Sequence, residues 1–315
     1  MKKYFRYLTL FLLFGSSCMT PYSKYPRIQK IDELSYPFAT QKLRLDNGIE
    51  IAYTEQGKGK ETLIFIHGLA SYMPAWKKNL ETLSKTYRCI AIDLPGYGKS
   101  SKGAYDGSMD FYATSVAAFA KKLNINQYWL VGHSMGGQIS LYLTLKYPQN
   151  VKGLVLAAPA GFETFHEGEK QWFREAVTAR GVMLTPTEQI IANFGSNFHE
   201  FPKDAAFMIT DRLAMRKAKD FDAFCYTVQQ SVQGMVNTPV FDMLPQITQP
   251  VLVMYGESDN LIPNKFLHGG TTKAVAQSGV SQLKNATLKM MPKAGHFVQW
   301  EAATAVNQAI LDFVK

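Results

Sequence analysis

Cysteine is scarce: three residues in a chain of 315, too few for a disulfide framework. Cys89 sits in the apolar stretch Arg88-Cys89-Ile90-Ala91-Ile92 and reads as a buried, inert thiol. Nothing in its spacing from Cys225 suggests a bridge. No Cys/His cluster has metal-ligand spacing, so neither a metal nor any other cofactor is expected. Charge of one sign is not concentrated either. Of the formal net charge of +9, Lys2, Lys3 and Arg6 carry three, and the rest is scattered rather than gathered into a basic tract with interleaved aromatics. No nucleic-acid partner is therefore expected, and a weak attraction to anionic membranes is what the charge leaves. The apolar run Tyr7 to Phe14 is too short to span a bilayer. What is present is 46% hydrophobic residues, enough for one large domain or one domain with an insertion.

The first residues read as a targeting signal. Lys2-Lys3-Tyr4-Phe5-Arg6 is a charged n-region, Tyr7 to Phe14 an apolar h-region, and Gly15-Ser16-Ser17 run into Cys18. Small residues before a cysteine resemble the lipobox of bacterial lipoproteins, although Gly15 stands where that family usually has leucine. The resemblance implies removal of residues 1–17 and acylation of Cys18. That would tie an exported protein to a membrane, at its periplasmic or outer-membrane face; ordinary signal cleavage or a retained anchor is the alternative. Residues 18–40, with Pro21, Pro26 and Pro37 and no sustained period, read as a tether.

The body begins with alternation. Lys42–Leu45 and Ile49–Tyr53 flank Asp46-Asn47-Gly48, the signal of a hairpin. Apolar runs of strand length follow at Thr62–Ile66, Arg88–Ile92, Tyr128–Val131, Gly153–Ala157, Val251–Tyr255 and Ala286–Met291. Helical spacing separates them at Ala75–Leu83, Met109–Leu123, Gln138–Tyr147 and Ala303–Val314. Alternating strands and helices predict an α/β fold with a mostly parallel sheet, eight strands in all, covered on both faces. The alternation stops over residues 161–248, where the pattern is helical near Lys170–Thr178, Pro186–Asn193, Asp204–Ala218 and Phe221–Val236. An insertion between two strands of one sheet should lie over the carboxyl edge, where ligands of such sheets bind. It reads as a lid on a core made of residues 41–160 and 249–315.

Between the strand Tyr128–Val131 and its helix stands Gly132-His133-Ser134-Met135-Gly136. Strand, G-x-S-x-G, helix is the context of a nucleophile elbow, a turn too tight for a Cβ at either glycine. Together with His67-Gly68, Asp93-x-Pro-Gly-x-Gly-x-Ser100, Gly256-x-x-Asp259-x-x-x-Pro263 and Gly295-His296, in this order, it makes the chain resemble the α/β-hydrolase family over Lys42–Lys315.

A serine hydroxyl needs a base, and the base an orienting acid. Asp259 follows one strand by a short turn and His296 follows the last, so both fall at the carboxyl edge with Ser134. Asp259 could instead cap a helix before Pro263, and His296 could be a surface-loop histidine. Among the rivals, His166 and His199 lie in the insertion, His268 in a loop, and His133 inside the elbow. His67 is expected to shape its own turn. Glu257 is the alternative acid, at the wrong spacing. The backbone N–H of Met135 is one candidate oxyanion donor; the resemblance implies Leu69 as the other. Asp93–Ser100 is expected to brace a tight loop.

The reading favours a serine hydrolase cleaving small hydrophobic carboxylic esters, short- or medium-chain or monoacylglycerol-like. Aromatic and methionine residues of the insertion, among them Phe165, Phe173, Phe194 and Met235, are divided between its own core and an apolar pocket. Carbon–carbon bond hydrolases share the Ser-Met-Gly-Gly elbow, and Trp76 with Asn79 is faintly similar to them; they rank second. Proline-aminopeptidase-like activity ranks third, because the insertion's acids look scattered. A non-catalytic binding protein is disfavoured by an intact Ser/Asp/His set. Epoxide hydrolases and haloalkane dehalogenases carry an aspartate where this chain has Ser134.

Overall fold

A computed structural model describes Tyr22 and residues 24–315. Cys18 and the signal segment lie outside the described residues. The hairpin forms as its alternation requires. β1 (Gln41–Arg44) pairs antiparallel with β2 (Glu50–Gln56), and Gly48 takes φ +84° in the turn. β3 (Thr62–Ile66), β4 (Arg88–Ile92), β5 (Tyr128–His133), β6 (Val151–Ala157), β7 (Val251–Gly256) and β8 (Ala286–Met291) complete one eight-stranded sheet. Its order is β1-β2-β4-β3-β5-β6-β7-β8. β2 meets β4 antiparallel, and every pairing from β4 to β8 is parallel.

β3, β5 and β7 are buried along their whole length, which is why they read as unbroken apolar runs, whereas the edge strand β8 alternates. The connections are α1 (Lys77–Leu83), α2 (Met109–Lys122) and α3 (Met135–Lys146). Between β6 and β7 every element is helical: α4 (Glu167–Ala176), α5 (Ala179–Leu184), α6 (Thr187–Ser196), α7 (Ala206–Met215) and α8 (Phe221–Asn237), with short 3-10 turns. α9 (Thr272–Gln282) precedes β8, and α10 (Val298–Glu301) and α11 (Ala303–Phe313) end the chain.

Two expectations are corrected. α3 starts at Met135 rather than Gln138, because Gly136 and Gly137, poor helix formers, mask its first turn. Residues 18–40 are not a free tether over their described part. Ile28, Ile31 and Leu34 are buried in the main core, Ile31 N–H donates to Asp220 Oδ1 at 3.0 Å, and Tyr36 Oη–H donates to Asp93 Oδ2 at 2.7 Å. Prolines and an irregular backbone hid three isolated apolar anchors. Among the described residues no helix is long and apolar enough to cross a membrane.

Cys89 and Cys225 are both free and buried. Burial pushes the Cys89 thiol up to about 12 and the Cys225 thiol up to about 11.

Candidate active site

β5 delivers Ser134 to the carboxyl edge and α3 begins one residue later. The turn between them puts Ser134 at φ +53°, ψ −120°, a region that L-residues occupy only under constraint. The constraint is visible. A Cβ on Gly132 would stand 2.4 Å from the Gly136 carbonyl oxygen, and one on Gly136 would stand 2.2 Å from that of Ile66. The Ser134 carbonyl is held by the N–H groups of Gly137 at 2.8 Å and Ala160 at 3.0 Å. Its hydroxyl makes no hydrogen bond among the described residues, and it stands at the positive end of α3.

Asp259 and His296 come together. Asp259 Oδ2 accepts from His296 Nδ1 at 2.8 Å, while Oδ1 accepts the N–H groups of Leu261 and Ile262 at 2.8 and 3.2 Å. The carboxylate therefore closes its own loop and orients the imidazole at once; the helix it could instead have capped does not form there, since α9 begins at Thr272 with Thr271 as its cap. Because Nδ1 must donate to a carboxylate, His296 Nε2 is left with its lone pair. Both residues are buried. Glu257, the alternative acid, is exposed and makes no hydrogen bond or ion pair with His296 among the described residues.

His133 Nε2 donates to the His296 carbonyl at 3.0 Å. That bond fixes the tautomer, and Nδ1 is sealed without a partner among the described residues. Burial, then the nearby His296, holds the His133 imidazole well below the usual histidine range, so it stays neutral. His67 uses both nitrogens locally: Nδ1 donates to Gly68 O at 2.8 Å and Nε2 accepts from Leu94 N–H at 3.1 Å. It shapes its turn, as its sequence position suggests. Asp93 accepts from Met73 N–H, Lys99 N–H and Tyr36, bracing the loop that ends at Ser100.

Leu69 follows Gly68, where a Cβ would lie 3.0 Å from Ser134 Cβ. Neither Leu69 N–H nor Met135 N–H donates a hydrogen bond among the described residues. Ser134, His296 and Leu69 line a cavity of about 330 Å³, with Phe165, Phe173, Met235 and Val236 of the insertion among its apolar walls. A second cavity of about 200 Å³ shares Leu69, Asn197 and Phe297 with the first and contains Arg212 and Phe194. The remaining aromatic residues of the insertion are largely core: Phe162, Phe221 and Phe224 join the main cluster, and Phe198 and Met208 a smaller one with Trp300.

Three features of the site had no signature in the spacing. Glu301 accepts from Gly295, His199 and Glu200 N–H groups. Arg212 donates to the Ala70 carbonyl. His268 bridges Glu163 and Glu169 of the insertion at 2.5 and 2.9 Å, so two acids that look scattered along the chain meet on one imidazole. No group of three or more histidine, cysteine or acidic side chains stands where it could hold a metal ion among the described residues.

Comparison with known proteins agrees with this fold. The family profile described as alpha/beta hydrolase fold matches residues 61–303. The 2-hydroxy-6-oxononadienedioate/2-hydroxy-6-oxononatrienedioate hydrolase of Paraburkholderia phymatum is 30% identical over 86% of this chain and 93% of its own. The dihydrolipoyllysine-residue acetyltransferase component of the acetoin cleaving system of Cupriavidus necator is 28% identical over 83% of this chain, which spans only 65% of that protein. The crystal structure of a membrane phospholipase A, described as a bacterial virulence factor, superposes with a TM-score of 0.72 at 26% identity, over 88% of this chain and 85% of that one.

Proposed function

The chain belongs to the α/β-hydrolase fold family, and we propose that it hydrolyses carboxylic esters with apolar acyl chains through an acyl-enzyme on Ser134. The observation that carries this reading is the Asp259–His296 pair. It leaves His296 Nε2 as the available base on the cavity that Ser134 also lines. In the proposed reaction Ser134 Oγ attacks the ester carbonyl as its proton passes to His296 Nε2. The tetrahedral oxygen takes its hydrogen bonds from Leu69 and Met135 N–H. The ester C–O bond then breaks, His296 returns the proton to the leaving alcohol, and water repeats the sequence to release the acid. The largely apolar walls favour acyl chains over charged groups, with the helical insertion as the lid. The similarity to a membrane phospholipase A supports an ester, and an acylated Cys18 would hold the enzyme beside such substrates.

A second reading, carbon–carbon bond hydrolysis on the same residues, is favoured by Arg212. Its Nε is sealed from solvent with no partner, and no carboxylate lies within ion-pair reach among the described residues. The Paraburkholderia relative is named for a dioate substrate, and a guanidinium is a natural carboxylate partner.

The test is turnover of p-nitrophenyl esters from acetate to palmitate, beside a 2-hydroxy-6-oxo-dienedioate, by the wild type and Ser134→Ala. Ester turnover that falls by roughly 10³-fold or more in the variant establishes the first reading. Turnover of the dienedioate alone establishes the second.

A further inference from the structure

The loop carrying Leu69 is held from the insertion by two adjacent residues of α7. Arg212 Nη2 donates to the Ala70 carbonyl at 2.5 Å, and Asp211 Oδ2 accepts from Tyr72 Oη–H at 2.6 Å. Ala70 is a non-glycine residue at φ +54°, a conformation that persists only where its surroundings impose it. The turn it makes brings Ser71 N–H to Gly68 O at 3.2 Å, and His67 Nδ1 donates to the same oxygen at 2.8 Å. That oxygen belongs to the peptide unit whose N–H is Leu69's. With two donors on the carbonyl end of a planar trans peptide, the N–H end has a fixed heading. The guanidinium packs over Phe224, 4.7 Å from its ring centroid, and Phe194, 5.9 Å, and forms no ion pair among the described residues, so nothing there competes for its grip on Ala70.

We infer that Arg212 is a positioning residue for the oxyanion hole. It reaches from the insertion to keep Ala70 left-handed, and through the Gly68–Ser71 turn keeps Leu69 N–H aimed at the developing oxyanion. The helical insertion then supplies part of the machinery that stabilises the transition state, beyond covering the site, and displacing α7 slackens the hole. This rests on Ser134 being the nucleophile, and on Leu69 N–H as one of the donors, but not on which bond is cleaved.

The test is therefore the rate at which a fluorophosphonate labels Ser134 in the full chain, since its phosphoryl oxygen needs the same donors whatever the natural substrate. Maximal labelling by Arg212→Met is expected to fall about 10- to 100-fold with little change in the probe concentration giving half the maximal rate, the scale of a donor lost or misplaced by about an ångström. Glycine adopts φ +54° unaided, so in an Ala70→Gly background the same substitution should cost no more than about threefold. Arg212→Lys, which keeps one donor, should lie between wild type and Arg212→Met, and it carries the test if the methionine variant loses its thermal unfolding transition. Labelling of the Arg212 variants at the wild-type rate overturns the inference, as does a loss confined to probe affinity, which would make Arg212 a ligand contact. No labelling of the wild type overturns the Ser134 reading itself, and this inference with it.

Discussion

Glu301 Oε2 accepts the backbone N–H of Gly295 at 2.7 Å, one residue before His296. The same carboxylate takes the N–H of His199 at 2.9 Å and of Glu200 at 3.1 Å, and Phe297 N–H donates to Asn197 O at 3.2 Å. The loop that carries the proposed base is thereby bonded to the connection between α6 and α7.

Glu301→Ala strands three donors that now share a charged acceptor. Loss of about 2–4 kcal/mol of stability is expected, from hydrogen bonds to a charged group together with the donors left unpaired. Urea unfolding of the variant beside the wild type at pH 7 measures it, and a cost under about 0.5 kcal/mol, the level of an ordinary surface change, would show that water replaces the carboxylate.

Burial pushes the Asp211 carboxyl up to about 6, against the lowering effect of its hydrogen bond from Tyr72. A carboxyl raised above its unfolded value binds its proton more tightly when folded. Its contribution is therefore complete below the ordinary aspartate range and declines as pH rises through about 6. Asp211→Asn keeps an acceptor for Tyr72 without the charge. It should stabilise the fold by about 1–2 kcal/mol at pH 7 and by progressively less toward pH 4. Thermal melts across that range decide it; a constant offset at every pH would mean that the charge is irrelevant.

Burial disfavours charge on His268, but its hydrogen bonds with Glu163 and Glu169 outweigh that and raise its pKa above the ordinary 6.5. The stabilisation is therefore whole below 6.5 and is lost as pH rises through the raised value. A neutral imidazole has one N–H for two carboxylates, so one of the two contacts to the insertion fails. Amide exchange of α4, corrected for its intrinsic pH dependence, should accelerate above pH 6.5 in the wild type. In His268→Gln that acceleration should be absent.

The elbow, the hairpin and the buried strands were legible because each rests on local signals: glycines around a serine, alternation around Asn-Gly, apolar runs of strand length. Asp259 and His296 were legible through their place after strands, since a strand's end fixes the sheet edge. α9 was not, because Thr272, Ser278 and Gly279 dilute its helical period and its cap, Thr271, is recognisable only once the loop before it is known. The grip of Arg212 on Ala70 spans 142 positions, and nothing local marks either partner. The Glu301 carboxylate looks like any helix-end acid until the fold brings Gly295 and His199 to it.

Tyr22 and Tyr25 already pack against the folded body, on the cluster of Ile190, Ile209 and Leu213. Four residues lead from Cys18 to Tyr22, a reach of at most ~14 Å when fully drawn out. With Cys18 acylated as proposed, this is a short mooring: the anchorage enters beside α6 and α7, where Ile190, Ile209 and Leu213 receive Tyr22. The enzyme could neither drift far from the bilayer nor turn that side away for long. A sparingly soluble ester would then arrive by lateral diffusion within the lipid sheet, and surface concentration rather than bulk solubility would set its supply.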